Sequence, residues 1–177
     1  MVNANKAKGD KHEREAVVAF LEHCPDLCVW NAQRLLGAGR KEDVGDLLVI
    51  EDVAVQVKAF KRESLSAAVF SAAAGAAVQA GHARKAFALG MAVVPRARKD
   101  KVRWACVVND WPVAGRIHDT ASSAVQAVDK VAAAGIDAEY TVQVIRKGAA
   151  PVILSSLPTW VRAYREATGR HLTEEAA

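Results

Sequence analysis

The chain has 177 residues, 51% of them hydrophobic, which suits one domain of ordinary size with a real core and excludes a disordered or fibrous chain. Its formal net charge is +4 and the excess is local: residues 64–116 hold eight Lys/Arg against two Asp/Glu, while the segments on either side are each slightly acidic. A basic middle points to a polyanion partner, nucleic acid before membrane, and no apolar run approaches the ~20 residues of a membrane span.

The opening stretch MVNANKAKGDKHE is too polar for a secretory leader, and the three cysteines, Cys24, Cys28 and Cys106, are an odd count. Both features lead to the expectation of a cytoplasmic protein with buried thiols. Cys24 and Cys28 lack the second Cys or His pair that a structural zinc site needs.

A first helix is expected from Asp10, with Glu13 completing a capping box. Val17, Phe20, Leu21 and Cys24 follow Glu13 at helical spacing, so Glu13 lies on the inward stripe, whereas Glu15 falls with Ala19 and Glu22 toward solvent. A short strand is expected around residues 28–32, then the polar loop GAGRKEDVG, then two strands at about 46–51 and 53–59. RESLSAAVFSAAAGAAVQAGHARK reads as a helix from about 64 to 79 with Gly81 as its stop. FALGMAVVP and VRWACVVND read as strands joined by RARKDK. A helix over 120–134, a strand over 140–145 and a last helix from Pro158 complete the series. The pattern is α/β: a core over 1–115 with a mixed central sheet flanked by helices, and 116–177 as an α-β-α elaboration of the same domain.

The stretch VGDLLVIEDVAVQVK carries three polar residues, Asp46, Gln56 and Lys58, where burial alone would select Val or Ile. Gln56 and Lys58 share a strand face. A turn of odd residue count over 51–53 pairs Ile50 with Ala54 and Asp46 with Lys58, and brings all three polar groups to one face. With Glu13 added, the set is two carboxylates, an amide oxygen and an ammonium. Oxygen donors of this kind suit a hard divalent cation, and a lysine beside them suits a metal-bound water: together, phosphodiester hydrolysis. Each residue has a blander reading. Glu13 suits a helix cap, Asp46 a strand entry, and Gln56 with Lys58 a solvated strand face. The conjunction favours the functional one.

Asp46 followed by Gln56-x-Lys58, after a helix bearing a glutamate, resembles the PD-(D/E)xK nuclease superfamily. KGDKHERE followed by AVVAFLE is similar to the opening of archaeal-type Holliday junction resolvases. The resemblance covers residues 8–60 by motif and extends to about 110 by element order. It implies a restriction-endonuclease-like fold, a Mg2+ site that Mn2+ can also fill, and ligands from Glu13, Asp46, Gln56 and the Val57 carbonyl, with Lys58 as the catalytic lysine. It also implies DNA contacts from Lys8, Arg14, Arg34 or Arg40, Lys61 and Arg62. The expected activity is a homodimeric endonuclease making paired cuts in four-way junctions. Its alternatives are a transposition, restriction or flap nuclease on the same core, or a catalytically silent DNA-binding protein. Two departures stand out: Gly45 replaces the usual proline and Gln56 the usual acid, which removes one negative charge from the site.

The stretch PRARKDKVR reads either as a solubilising hairpin tip or as a grip on the sugar-phosphate backbone. His12 reads as a surface histidine; Trp104, Trp111 and Trp160 read as packing residues. The small residues of 64–80 read as core packing, with a dimer surface as the alternative.

Overall fold

The structure, a computed structural model, describes residues 4–35, 45–60, 64–95 and 102–170, with residues 4–8 described as backbone only. Arg40, Lys61, Arg62 and the lysines and arginines of 96–101 lie outside the described residues, as does the Lys8 side chain.

Four α-helices and eight strands are present among the described residues: α1 (Ala4–His23), β1 (Gln33–Arg34), β2 (Leu47–Leu48), β3 (Val53–Lys58), α2 (Leu65–Ala83), β4 (Phe87–Val93), β5 (Trp104–Val108), β6 (Asp119–Ala121), α3 (Ala124–Ala134), β7 (Thr141–Val144), β8 (Val152–Ser155) and α4 (Leu157–Thr168). The strands form one mixed sheet in the order β1-β2-β3-β4-β5-β8-β7-β6. β3 with β4 and β6 with β7 are parallel, and the other neighbours are antiparallel. The fold is thus α/β with a mixed open sheet, and the β5–β8 pairing carries the sheet directly from the first half of the chain into the second.

Helices cover both faces. On one face, Ala16, Val17 and Phe20 of α1 and Trp160, Val161 and Tyr164 of α4 pack on Val53, Val55, Val57, Leu89 and Met91. On the other, Ala68, Val69 and Ala72 of α2 and Ala124, Val128 and Val131 of α3 pack on Ala92, Ala105, Val107 and Val142. Strands buried on both faces read as near-continuous apolar runs. This accounts for WACVV in β5 and for the single polar residue, Gln56, in the buried part of VAVQVK in β3.

The small residues of α2 serve the core. Gly90 of β4 meets the α2 backbone so closely that an added Cβ would stand 2.6 Å from the carbonyl carbon of Ala72. Alanines at 68, 72, 73 and 76 form the buried face that allows this approach. Among the described residues, no helix is long and apolar enough to cross a membrane.

Several element boundaries differ from the sequence expectation. The first helix begins at Ala4 and leaves Asp10 well inside it, so Asp10 and Glu13 form no capping box. Ala19 is buried and Leu21 exposed, the reverse of the expected stripe. A one-turn 3-10 helix, Pro25–Leu27, and the strand Gln33–Arg34 replace the strand expected at 28–32. α2 runs past Gly81 and ends on Arg84, which adopts the left-handed conformation at φ 52°. The expected helix at 120–134 is divided into β6 and α3, with Ser123 capping α3 by accepting from the Gln126 N–H. β8, absent from the sequence reading, fills the sheet between β5 and β7. The last helix starts one residue before Pro158, and Ser156 caps it.

Candidate active site

β2 and β3 form a tight hairpin in which the Val53 N–H donates to the Ile50 carbonyl at 3.3 Å. Leu47 stands opposite Val55. The next pair outward is therefore Asp46 with Gln56, and the Asp46 N–H donates to the Val55 carbonyl at 2.8 Å. The parity of the expected turn holds and its register does not: Asp46 faces Gln56, two residues short of Lys58. Because a two-residue shift preserves the strand face, Asp46, Gln56 and Lys58 still lie on one side of the sheet. The shift arises because the turn comes one residue earlier, over 50–52 and not 51–53, where the Val53 N–H closes on the Ile50 carbonyl.

That side faces α2. Gln56 stands opposite Gly90, whose face meets Ala72 of α2. The Gln56 side chain lies under Gly75, where an added Cβ would sit 2.9 Å from Oε1. Asp46 Oδ2 accepts from the Val57 N–H at 2.7 Å and from Gln56 Nε2. Gln56 Oε1 in turn accepts from Gln79 Nε2 at 2.5 Å. Both amide side chains are buried, Gln56 at 5% exposure and Gln79 at 2%. Gln79 did not emerge from the sequence reading. Its signal was an amide in the otherwise small, apolar run AAVQA, on the inward face of a buried helix.

Glu13 is not brought into this group. Its Oε2 accepts from Arg34 Nε at 2.8 Å, while Arg34 Nη2 donates to Asp10 Oδ1 at 2.6 Å. Arg34 stands opposite Leu47, whose side chain packs in the α1 core. Glu13 and Arg34 therefore occupy the α1 face of the sheet, and Gln56 the α2 face. Arg34, expected to meet a phosphate, is neutralised by two carboxylates. Arg14 is exposed on α1, and Lys58 is half-buried with no hydrogen bond or ion pair among the described residues.

One other expectation is corrected. His12 is buried at 8% exposure, with Nδ1 2.9 Å from Glu15 Oε2. Arg103, from the basic stretch, donates to the same carboxylate oxygen at 2.9 Å and lies over the Trp104 ring. Burial opposes ionisation of Glu15, but the hydrogen bonds from His12 and Arg103 hold its carboxyl below the ordinary value. Trp104 and Trp160 are buried, Trp111 is partly so, and all three pack as expected. Cys24 and Cys106 are buried free thiols, and burial pushes the Cys24 thiol up to about 12.

The donor set fits a single hard cation under one condition. Asp46 supplies a carboxylate whose orientation the Val57 N–H fixes, and Mg2+ is commonly held by one or two carboxylates with waters and phosphate oxygens. Gln56 turns its N–H toward Asp46, so it could serve as a ligand only after its amide rotates and brings Oε1 alongside. The space permits this, because amide nitrogen and oxygen are nearly equal in size. Among the described residues, no cluster of three or more His, Cys, Asp or Glu side chains is placed to share an ion. Two clefts, one lined by Glu15, His23 and Arg103 and the other by Ala80, Phe87 and Trp111, lie away from Asp46 and Gln56.

Comparison of the chain with protein-family models, with curated proteins and with solved structures found no match.

Proposed function

We propose that this protein is a metal-dependent DNA endonuclease with Asp46, Gln56 and Lys58 as its working residues, cutting four-way junctions as a homodimer. The observation that carries the reading is the direct contact of Asp46 with Gln56 across β2 and β3, with Lys58 on the same face one pleat further along. The junction preference and the homodimer rest on the resemblance of residues 8–60 to the resolvases. The basic excess of 64–116 supports a nucleic-acid substrate.

In this reading Asp46 and Gln56 Oε1 would hold the cation, and the chemistry it would supply is polarisation of the scissile phosphate and a more nucleophilic water. The Val57 N–H keeps the Asp46 carboxylate in register. The Lys58 ammonium, free of ion pairs among the described residues, donates a hydrogen bond to the attacking water or to a phosphate oxygen. The new bond forms from water oxygen to phosphorus as the opposite P–O3′ bond breaks, leaving a 5′-phosphate and a 3′-hydroxyl. Glu13, paired with Arg34, supports the site by fixing α1 against β1.

A second reading, a catalytically silent DNA-binding protein, is favoured by one feature: Asp46 already accepts from the Gln56 amide. A substrate panel separates the two. Four-way junction, flap and linear duplex are incubated with Mg2+, Mn2+ or EDTA. Paired cuts in the junction with either metal and none in EDTA are expected. Cutting of all three substrates contradicts the junction preference, and tight binding with no cutting contradicts the nuclease.

A further inference from the structure

We propose that Gln79 is a positioning residue for this site: together with Gln56 it forms a two-amide relay that reverses direction when a divalent cation reaches Asp46. The inference rests on the functional reading above and assigns a role to a helix residue that the reading itself does not need.

The hydrogen bonds run one way, from Gln79 Nε2 to Gln56 Oε1 and from Gln56 Nε2 to Asp46 Oδ2. The run begins at Gln79 Oε1, which is buried and has no hydrogen-bond partner among the described residues. Buried acceptors are seldom left unpaired, because desolvation without a compensating bond is unfavourable. Reversal gives this oxygen a partner, because Gln56 Nε2 then donates to Gln79 Oε1 and Gln56 Oε1 faces Asp46, while Gln79 Nε2 takes the place that Oε1 held beside Gly45. In that state two oxygen acceptors stand side by side, an unfavourable arrangement without positive charge and a ligand pair with it. Each direction therefore belongs to one state of the site, donor-to-carboxylate without a cation and oxygen-to-cation with one.

Local packing allows the rotation. An amide presents a donor and an acceptor at nearly equal volume, and its terminal torsion is broad. Gly75 leaves space above Gln56, and Gly45 leaves space at the far end of Gln79, where an added Cβ would stand 3.7 Å from Oε1. A glutamate at position 56 would need no rotation, since both of its oxygens accept. A glutamine makes cation binding conditional on turning both amides, so apparent affinity falls with the fraction of molecules in the reversed state.

The test is a Mg2+ titration of the full 15N-labelled chain, read at the side-chain amides of Gln56 and Gln79, in the wild type and in Gln56→Glu. The relay predicts that both wild-type amide signals shift along one binding curve. In Gln56→Glu, Mg2+ binds roughly tenfold more tightly and the Gln79 signal stays in place, because Gln79 donates to residue 56 with or without the ion. Equal Gln79 shifts in both proteins would mean mere proximity to the ion and overturn the relay. A static Gln79 signal in the wild type beside a moving Gln56 would overturn it too, while leaving the metal site intact. If Mg2+ moves neither signal, the metal site and the relay fall together. Should Gln56→Glu not fold, Gln79→Met serves instead: the relay predicts Mg2+ affinity several-fold weaker, and unchanged affinity overturns it.

Discussion

Gln56 occupies the space that a side chain on Gly75 would need: an added Cβ would stand 2.9 Å from Gln56 Oε1 and 3.2 Å from its Cγ. Glycine inside a helix ordinarily costs about 0.5–1 kcal/mol relative to alanine. At Gly75 that gain is expected to vanish, because the methyl group displaces the Gln56 amide and breaks its bonds to Asp46 and Gln79. Gly75→Ala should therefore show no rise in melting temperature and a weaker Mg2+ response. A variant that is both more stable and equally responsive to Mg2+ would contradict this placement of Gln56.

Gly90 fits under α2 only because it has no side chain. Its Cβ would meet the Ala72 and Ala73 backbone at 2.6–2.8 Å, and backbone in a packed helix cannot yield by rotating a side chain. Gly90→Ala is expected to destabilise the fold by about 3 kcal/mol in chemical denaturation. Gly115, with nothing within 4 Å but a φ of 81°, serves as the control: alanine there should cost only the backbone strain, about 1 kcal/mol.

The Glu13–Arg34 pair distinguishes support from catalysis. With Glu13 on the α1 face, Glu13→Gln is expected to lower stability by about 1 kcal/mol, from a weakened charged hydrogen bond, and to change junction cleavage by only a few-fold. Loss of cleavage as complete as that of Asp46→Asn, in a variant that melts like wild type, would return Glu13 to the metal.

Asp26 and Arg165 form a two-pronged pair, with both oxygens 2.7 Å from guanidinium nitrogens, and it ties the 3-10 turn to α4. The hydrogen bonds from Arg165 hold the Asp26 carboxyl below its ordinary value. Its stabilisation is therefore present above the unfolded carboxyl value of about 3.9 and is lost as pH falls through the lower folded value. Asp26→Asn should lower stability by about 1 kcal/mol at neutral pH, a figure kept small because the Asp26 side chain is 42% exposed. The difference from wild type should shrink as pH drops below about 4. A difference independent of pH would show that packing, and not charge, sets the effect.

Tyr164 joins α4 to the β2–β3 hairpin by donating to Asp52 Oδ1 at 2.5 Å and accepting from Arg170 at 2.6 Å. Burial, and then the Asp52 carboxylate, keep its phenol proton bound well above the usual range. Tyr164→Phe preserves the stacking on Trp160 and loses both hydrogen bonds, so a loss of about 1–2 kcal/mol is expected in thermal or denaturant melts. No loss would mean that these bonds merely replace bonds to water.

What the sequence disclosed follows from the length of the signal. VAVQVK and WACVV carry enough apolar residues to announce buried strands, and period-two alternation placed Gln56 and Lys58 on one face, with Asp46 joining them only through a turn of odd residue count. The register was not legible, because it depends on whether the chain turns at 50–52 or at 51–53, which the pattern of apolar residues does not encode. The early start of α1 was not legible because its first two turns are polar and show no helical period. β6 and β8, three and four residues long, are too short to announce themselves. The partner of Glu13 was hidden for another reason: Arg34 is 21 residues away, and only the folded sheet shows which of its faces the arginine takes.

The most direct measurement is single-turnover cleavage of a four-way junction in Mg2+ by wild type, Asp46→Asn and Lys58→Met, each checked for an unchanged melting temperature and unchanged junction binding in EDTA. The account predicts that cleavage by either variant falls by at least a hundredfold while binding persists. Wild-type cleavage by either folded variant, or no cleavage by the wild type itself, would contradict it.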